Sequence, residues 1–382
     1  MINRYALALG CVLGTLLTGC ERSQPDEAGA PAPAVAATAS APGAVPATLS
    51  GIHDSDGRPV PLLPFDISRI AVSDAPLAAL PFVELPPGHA PLNAPMVRAW
   101  ARFPVRLGDG VHWVEGPSWS ARIAAVGGSG DSDAVQQLQR NLDQQLLAAG
   151  ASKVFEGPEH RGIYYGPQLE DEIGGGFIDA VNNDADAPTT VYVIRQPQRT
   201  IWVQLSVDSL HAGLVVLEEV PFTATAQWSD TFPHLSLPAG YSDRNRPIQH
   251  GLERFPFWTG DHFKQMEGRL WAADFDKRGH AYSMHEVRRN LAAMMATVNA
   301  SKVFEGRIPK LQAESVPEAL RSAYASSAGY NWDDVDLVVY RADLPGGRQI
   351  WIHARLDHLN AGWVVVERKG YAAAGATPAA AR

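Results

Sequence analysis

Ala151-Ser152-Lys153-Val154-Phe155-Glu156-Gly157 returns letter for letter as Ala300-Ser301-Lys302-Val303-Phe304-Glu305-Gly306, 149 positions further on. An internal copy sets the architecture before any propensity argument begins. Downstream, Arg199, Ile201, Trp202, Asp208, Leu210, Ala212, Gly213, Val215, Val216 and Glu218 recur at the same offset as Arg348, Ile350, Trp351, Asp357, Leu359, Ala361, Gly362, Val364, Val365 and Glu367. Upstream, Leu85, Pro86, Gly88, Arg102, Phe103, Pro104, Gly108, Asp109, Glu115, Gly116 and Trp119 recur 152 positions on as Leu237, Pro238, Gly240, Arg254, Phe255, Pro256, Gly260, Asp261, Glu267, Gly268 and Trp271. The offset changes once, between Gly127 and Asp133, which places a loop there. The repeat predicts two tandem homologous units, residues 80–219 and 232–368.

Each unit reads as α+β, a mostly antiparallel sheet with one or two helices on one face. Trp119 to Val126 and Leu270 to Phe275 are expected strands. Val135, Leu138, Leu142 and Leu146 form one apolar stripe on a helix from about Ser132 to Ala149, stopped by Gly150. In the second unit Ser283-Met284-His285-Glu286 is a capping-box pattern that opens a helix. Lys153-Val154-Phe155 and Lys302-Val303-Phe304 are short strands, and a Gly-rich stretch, Gly174-Gly175-Gly176, follows the first. Three further strands close each unit: Thr190 to Arg195, Thr200 to Val207 and Leu214 to Glu219, matched by Asp336 to Arg341, Gln349 to Leu356 and Trp363 to Arg368.

The chain of 382 residues carries 41 acidic and 32 basic side chains, a net charge of −9, and only two cysteines. An acidic chain with no basic run is not drawn to phosphate backbones, which argues against nucleic acid as a partner. Both cysteines, Cys11 and Cys20, lie in the first twenty residues. Arg4 precedes an apolar stretch from Tyr5 to Leu17, too short to span a bilayer comfortably, and Leu17-Thr18-Gly19-Cys20 closes it with small residues. This resembles a bacterial lipoprotein signal: residues 1–19 would be removed and Cys20 lipidated, palmitate included. That similarity, with Glu21-Arg22 rather than Asp after the cysteine, implies an outer-membrane protein facing the periplasm, with the cell surface as the alternative. Residues 20–50, rich in Ala and Pro, read as a flexible tether whose coil span is roughly 30 Å. Residues 51–79 form an N-terminal extension, semi-ordered at best, with Ile70-Ala71-Val72 as an edge strand, and residues 371–382 form a disordered tail.

A reactive group that serves both units should occur twice, and the histidines do not: His112 aligns with Lys264, His211 with Asn360 and His358 with Ser209. No spacing suits a zinc site, so no metal or cofactor is expected. The acidic turns Asp54-Ser55-Asp56-Gly57 and Asn182-Asn183-Asp184-Ala185-Asp186 lack the final ligand of a calcium loop. What does recur is Trp202 with Asp208 and Trp351 with Asp357. Alternation turns Ile201, Val203, Leu205 and Val207 to one face and Trp202, Gln204, Ser206 and Asp208 to the other. A tryptophan on an otherwise polar face is a binding anchor, or else an indole packed beneath a loop. Lys153 with Glu156 and Lys302 with Glu305 read as charged strand edges that discourage strand addition.

Leu85-Pro86-Pro87-Gly88, Arg102-Phe103-Pro104 before Gly108-Asp109, Trp113-Val114-Glu115-Gly116, and the second-unit forms Arg254-Phe255-Pro256-Phe257 and Met266-Glu267-Gly268 resemble the N-terminal portions of lipoproteins related to outer-membrane protein A, across residues 60–370. Such relatives commonly carry a C-terminal peptidoglycan-binding domain; this chain departs from them there, so the resemblance implies location and fold rather than wall attachment. The expectation is a non-enzymatic binding or scaffold module, held to the membrane by its lipid and engaging an envelope protein. Two alternatives stand beside it: an inhibitor or immunity lipoprotein against a cell-wall hydrolase, and an envelope hydrolase that uses an acid pair such as Asp109 and Glu115, with Glu267 at the second copy.

Overall fold

Pro104 and Pro256, one position in two copies, both lie inside strands, which a sheet tolerates at its edge because a missing N–H there breaks no ladder. In the computed structural model, which describes residues 49–127, 132–158, 162–165, 169, 173, 180, 187–278, 281–328 and 336–369, these prolines sit in β4 (Met96–Leu107) and β11 (Ile248–Trp258). Neither strand is legible in the sequence, since proline argues against a strand wherever its edge position is unknown. β4 turns through Gly108-Asp109 into the long β5 (Gly110–Ala125), and β11 turns into β12 (Phe263–Lys277).

The first seven-stranded sheet adds β3 (His89–Pro91), β6 (Ser152–Pro158), β7 (Pro188–Gln196), β8 (Arg199–Val207) and β9 (Ala212–Glu219), in the order β3-β5-β9-β8-β7-β6 with β4 paired to β5. The second adds β10 (Tyr241–Asp243), β13 (Ser301–Gly306), β14 (Asp336–Leu344), β15 (Arg348–Leu356) and β16 (Ala361–Arg368), in the order β10-β12-β16-β15-β14-β13 with β11 paired to β12. The two orders are the same, every pairing between these strands is antiparallel, and the irregularities recur too. The register shifts between Arg98 and Ala101 in one sheet and between His250 and Glu253 in the other, and again at Lys153/Phe155 and Lys302/Phe304. Bulges that return at equivalent residues are built features that bend a strand and raise its twist. Opposite the first pair lie Gly116 and Gly268, where an added Cβ would run into the carbonyl oxygens of Glu218 and Glu367.

Both faces of each sheet are buried. On one face of the first sheet, α1 (Ser132–Ala148) sets Val135, Leu138, Leu142 and Leu146 against Ile201, Val203 and Leu205, as the stripe predicts. In the second, α2 (Met284–Thr297) does the same with Val287, Leu291 and Met294. Ser283 Oγ accepts the Glu286 N–H at 3.3 Å, but the Glu286 carboxylate reaches Tyr241 Oη at 2.9 Å and Lys277 instead of closing the box. The expectation of helices on one face only is corrected in the second unit, where α3 (Lys310–Ser315) and α4 (Glu318–Ala328) bury Ala313 and Tyr324 against the opposite face. On that face of the first sheet lie β1 (Leu49–His53), β2 (Pro59–Pro61) and a 3-10 turn at Ile67–Arg69. Residues 51–79 are therefore part of the core rather than semi-ordered: Ile52, Val60 and Ile70 are buried there, in one cluster with Ile163, Tyr164 and Leu169 of the β6–β7 connection. The expected edge strand at 70–72 is one bridge, Val72 to Arg195. Residues 1–48, the loop at 128–131, Gly174–Gly176, the acidic run at 182–186 and the tail at 371–382 lie outside the described residues.

Both units belong to the compact body Pro46–Arg382, and they meet where α2 packs on β4. Arg289 on α2 donates to Glu115 Oε2 through Nε at 2.9 Å and Nη2 at 2.5 Å. Along β4, Arg98 and Trp100 are buried; burial pulls the Arg98 guanidinium down to about 10, and Trp100 meets Phe222 of the connecting segment edge-on at 4.8 Å.

Gly116→Ala and Gly268→Ala should each destabilise the protein by roughly 2 kcal/mol or more, the range of forced overpacking, read as a lowered thermal midpoint. An unchanged midpoint in both contradicts the close backbone approach.

Candidate binding surface

Trp202 and Trp351, the expected anchors, are 1% and 2% exposed. The face that alternation turned outward is the second buried face of each sheet, so neither indole reaches solvent and the outward reading is corrected. Trp202 lies under the N-terminal extension, edge-on to Phe65 at 4.9 Å and stacked with His112 at 5.2 Å, and its N–H donates to Glu219 at 3.0 Å. Trp351 packs against Phe257 at 5.5 Å beneath Lys264 at 5.0 Å, and donates to Gln349 at 2.9 Å. His112 and Lys264, which differ in chemistry, thus lie over equivalent rings. Asp208 and Asp357 shape the turns that join β8 to β9 and β15 to β16: Asp208 Oδ1 accepts the Leu210 and His211 N–H groups at 2.6 Å, and Asp357 Oδ1 accepts Leu359 N–H at 3.1 Å.

The turn aspartates take their cations from different strands. In the first unit Arg122 on β5 approaches Asp208 at 3.5 Å across from Ser206. In the second, Asp274 stands at the Arg122 position and Arg355 at the Ser206 position; Arg355 donates to Asp274 at 3.1 Å, to Asp357 at 3.0 Å and to Asn360. Arg355 and Asp274 are each 1% exposed. Burial pushes the Asp274 carboxyl above its ordinary range, and Arg355 and Arg244 oppose that shift without cancelling it. Further along β8 and β15, Gln204 accepts from the Arg106 backbone at 2.8 Å and from Tyr164 at 3.1 Å, where the second unit places His353. Burial pulls His353 down to about 3.

Other repeated charges also serve the frame. Arg199 meets Glu218 at 2.8 Å and Arg348 meets Glu367 at 2.7 Å. Burial pushes Glu367 upward, but hydrogen bonds from Arg348 and Arg269 outweigh it and hold the carboxyl below its ordinary range. Lys153–Glu156 at 3.0 Å and Lys302–Glu305 at 2.5 Å do pair, on the edge strands β6 and β13; such exposed pairs contribute about 0–1 kcal/mol. The proposed acid pair is not brought together. Asp109 is in the turn that ends β4, while Glu115 lies six residues along β5, about 20 Å at strand rise, against the roughly 5–9.5 Å that paired glycosidase carboxylates need.

The open site is one that alternation could not reveal. At the bulge of the second sheet a cleft of about 760 Å³ is lined by Leu252, Arg254, Glu267, Gly268, Arg269 and Glu367 among others. Leu252 is 71% exposed, whereas Trp100 at the equivalent position is 6% exposed. Glu267 and Arg254 pair at 2.9 Å with half or more of each side chain exposed, whereas Glu115 and Arg102 are 27% and 30% exposed. The sequence shows that the charged residues recur, Glu115 with Glu267 and Arg140-Asn141-Leu142 with Arg289-Asn290-Leu291, but not that one copy is open.

Compared with known proteins, the chain matches no family model, no curated protein and no solved structure. Among the described residues no helix is long and apolar enough to cross a membrane, and no three His, Cys, Asp or Glu side chains gather as a metal-ion site.

Arg355→Ser should cost about 3–5 kcal/mol, the scale for one lost partner of a buried ion pair. Adding Asp274→Arg, which imports the arrangement of the first unit, should recover part of that loss in denaturant unfolding; a double variant no more stable than the single would contradict the exchange.

His353 has a folded-state pKa below its unfolded value of about 6.5, so the unfolded chain takes up a proton that the folded chain refuses. Its contribution is complete above about pH 6.5 and is lost as pH falls toward 3, by an amount on the order of a few kcal/mol. Replacing it by Gln, the residue of the first unit, should flatten the acid side of the stability curve between pH 4 and 7. An unaltered slope would mean that other groups set it.

Proposed function

We propose that this chain is a non-enzymatic outer-membrane lipoprotein: two α+β units descended from one duplicated module, carried on a lipidated Cys20 and a tether, that act as a periplasmic binding or scaffold module. The resemblance to lipoproteins related to outer-membrane protein A and the lipobox at Leu17-Thr18-Gly19-Cys20 support the location. Common strand order, common bulges and the equivalent close approaches at Gly116 and Gly268 support descent from one module. The observation that carries the binding reading is the exposed apolar Leu252 within a charged cleft, at a place the other unit keeps covered. A lone exposed leucine is ordinary on a surface; what supports an interaction site is that it stands among charged side chains at the position where the sister unit buries Trp100. The repeated charges, for their part, are committed to turns, edges and strand pairs, which supports a frame rather than a reaction centre.

A photo-crosslinking residue at Leu252, in the full chain within the cells that make it, tests this reading. Leu311 on α3, 78% exposed, is the control. The reading predicts a discrete product from position 252 in the envelope fraction, absent from 311 and diminished when Cys20→Ala frees the chain from the membrane. Equal labelling from both positions, or none from 252, contradicts it; a secreted cell-wall hydrolase as the sole product moves the weight to the inhibitor reading.

A further inference from the structure

The contact between the two units leaves both of its halves unused elsewhere on the molecule. One half is the β4–β5 surface of the first unit, where Glu115 receives Arg289 of α2, Trp100 packs against Phe222 of the connecting segment and Arg98 is buried. Its equivalent on the second unit is His250, Leu252 and Glu267 on β11 and β12, and this surface is open: His250 is exposed, Leu252 is 71% exposed, and the Glu267 side chain is 50% exposed. The other half is the helix face that carries Arg289. One turn before it, His285 is 5% exposed. On α1 the equivalent residues are Arg140 and Gln136, and both are exposed.

We propose that a second copy of this chain sets its α1 against β11 of the first, with Arg140 on Glu267, repeating between chains the contact that α2 and β4 make within one. This rests on the reading of the β11 surface as a binding site and names its occupant. The charges are complementary in the right order, a cation from the helix and a carboxylate from the strand. Glu267 already holds Arg254 at 2.9 Å, yet that does not bar a second cation, since Glu115 approaches Arg102 at 3.6 Å and also receives Arg289. The apolar component is smaller, with Leu252 in place of Trp100. The two halves sit on different units, so two chains either make the contact reciprocally as a closed dimer or extend it head-to-tail into a ring or an open row. Within one chain the contact profits from an effective concentration on the order of mM. Between chains it must form at the concentration of the protein itself, which confinement of lipid-anchored copies to one surface would raise.

Sedimentation equilibrium of the full chain in a density-matched detergent tests the proposal. Self-association should grow with concentration over about 1 to 100 μM and weaken at least about tenfold in Arg140→Glu, in Glu267→Arg and in Leu252→Asp, all exposed positions whose folding circular dichroism checks. An equimolar mixture of Arg140→Glu with Glu267→Arg should associate again to within about threefold of the parent chain, because each meets its complement on the other; general damage would not be repaired by mixing. A chain that stays monomeric throughout, or an association indifferent to the charge reversals, overturns the proposal. Crosslinks from position 252 to a different protein, without self-association, overturn it while leaving the binding reading in place; no crosslink from 252 removes both.

Discussion

Each sheet presents apolar side chains on both faces, and a two-faced sheet needs cover on both. One face is met alike in the two units, by a helix with its stripe of Val and Leu inserted between β5 and β6 or between β12 and β13. The other face is met in different ways. The second unit uses α3 and α4, placed between β13 and β14. The first uses its β6–β7 connection as well, through Ile163, Tyr164 and Leu169, and adds residues that precede its sheet, so Phe65 and Ile52 reach across from the N-terminal side to the layer that buries Trp202. Burial of a ring of this size, at roughly 25 cal/mol per Å², is worth several kcal/mol, which is why a segment poor in regular structure is nonetheless held.

Polar groups on that second face survive because each is given a partner or kept neutral. Gln204 is tied to a backbone N–H and a tyrosine, whereas His353 in the same place is held uncharged by burial. Arg122 with Ser206, and Asp274 with Arg355, are two solutions of one problem: a turn aspartate beside a sheet needs a cation, and the cation can come from either neighbouring strand. A buried charge without its counter-charge is costly, so the two positions had to change together. Divergence between the units is thus confined to what covers the frame and what neutralises it, while backbone contacts such as those of Gly116 and Gly268 admit no substitute.

Much of the frame was legible in the sequence. The repeat located both units, the stripe Val135-Leu138-Leu142-Leu146 located α1 within a residue, and β7 to β9 and their counterparts emerged from alternation. The missing strands, β4 and β11, were hidden by Pro104 and Pro256, because edge position is a tertiary fact. Period-two alternation also misplaced Trp202 and Trp351: it separates two faces but cannot say whether the polar one meets water or a satisfied protein layer. Residues 51–79 failed for a related reason, since their few apolar side chains are too sparse to signal a core on their own. The open surface at Leu252 could not be read from one unit at all; it emerges only when the burial of the two is compared position by position.

Amide hydrogen exchange of β4 and β11, followed residue by residue in dilute, monomeric protein, addresses the central claim most directly. Both strands are paired on one side only, to β5 and to β12. If α2 packs on the one while the other is open among the described residues, the outward amides of residues 97–102 should exchange slowly and those of residues 249–254 quickly, while β8, β9, β15 and β16 are protected alike. Equal, rapid exchange along β4 and β11 would contradict the account, because it would mean that the units do not dock and that the two surfaces were never different.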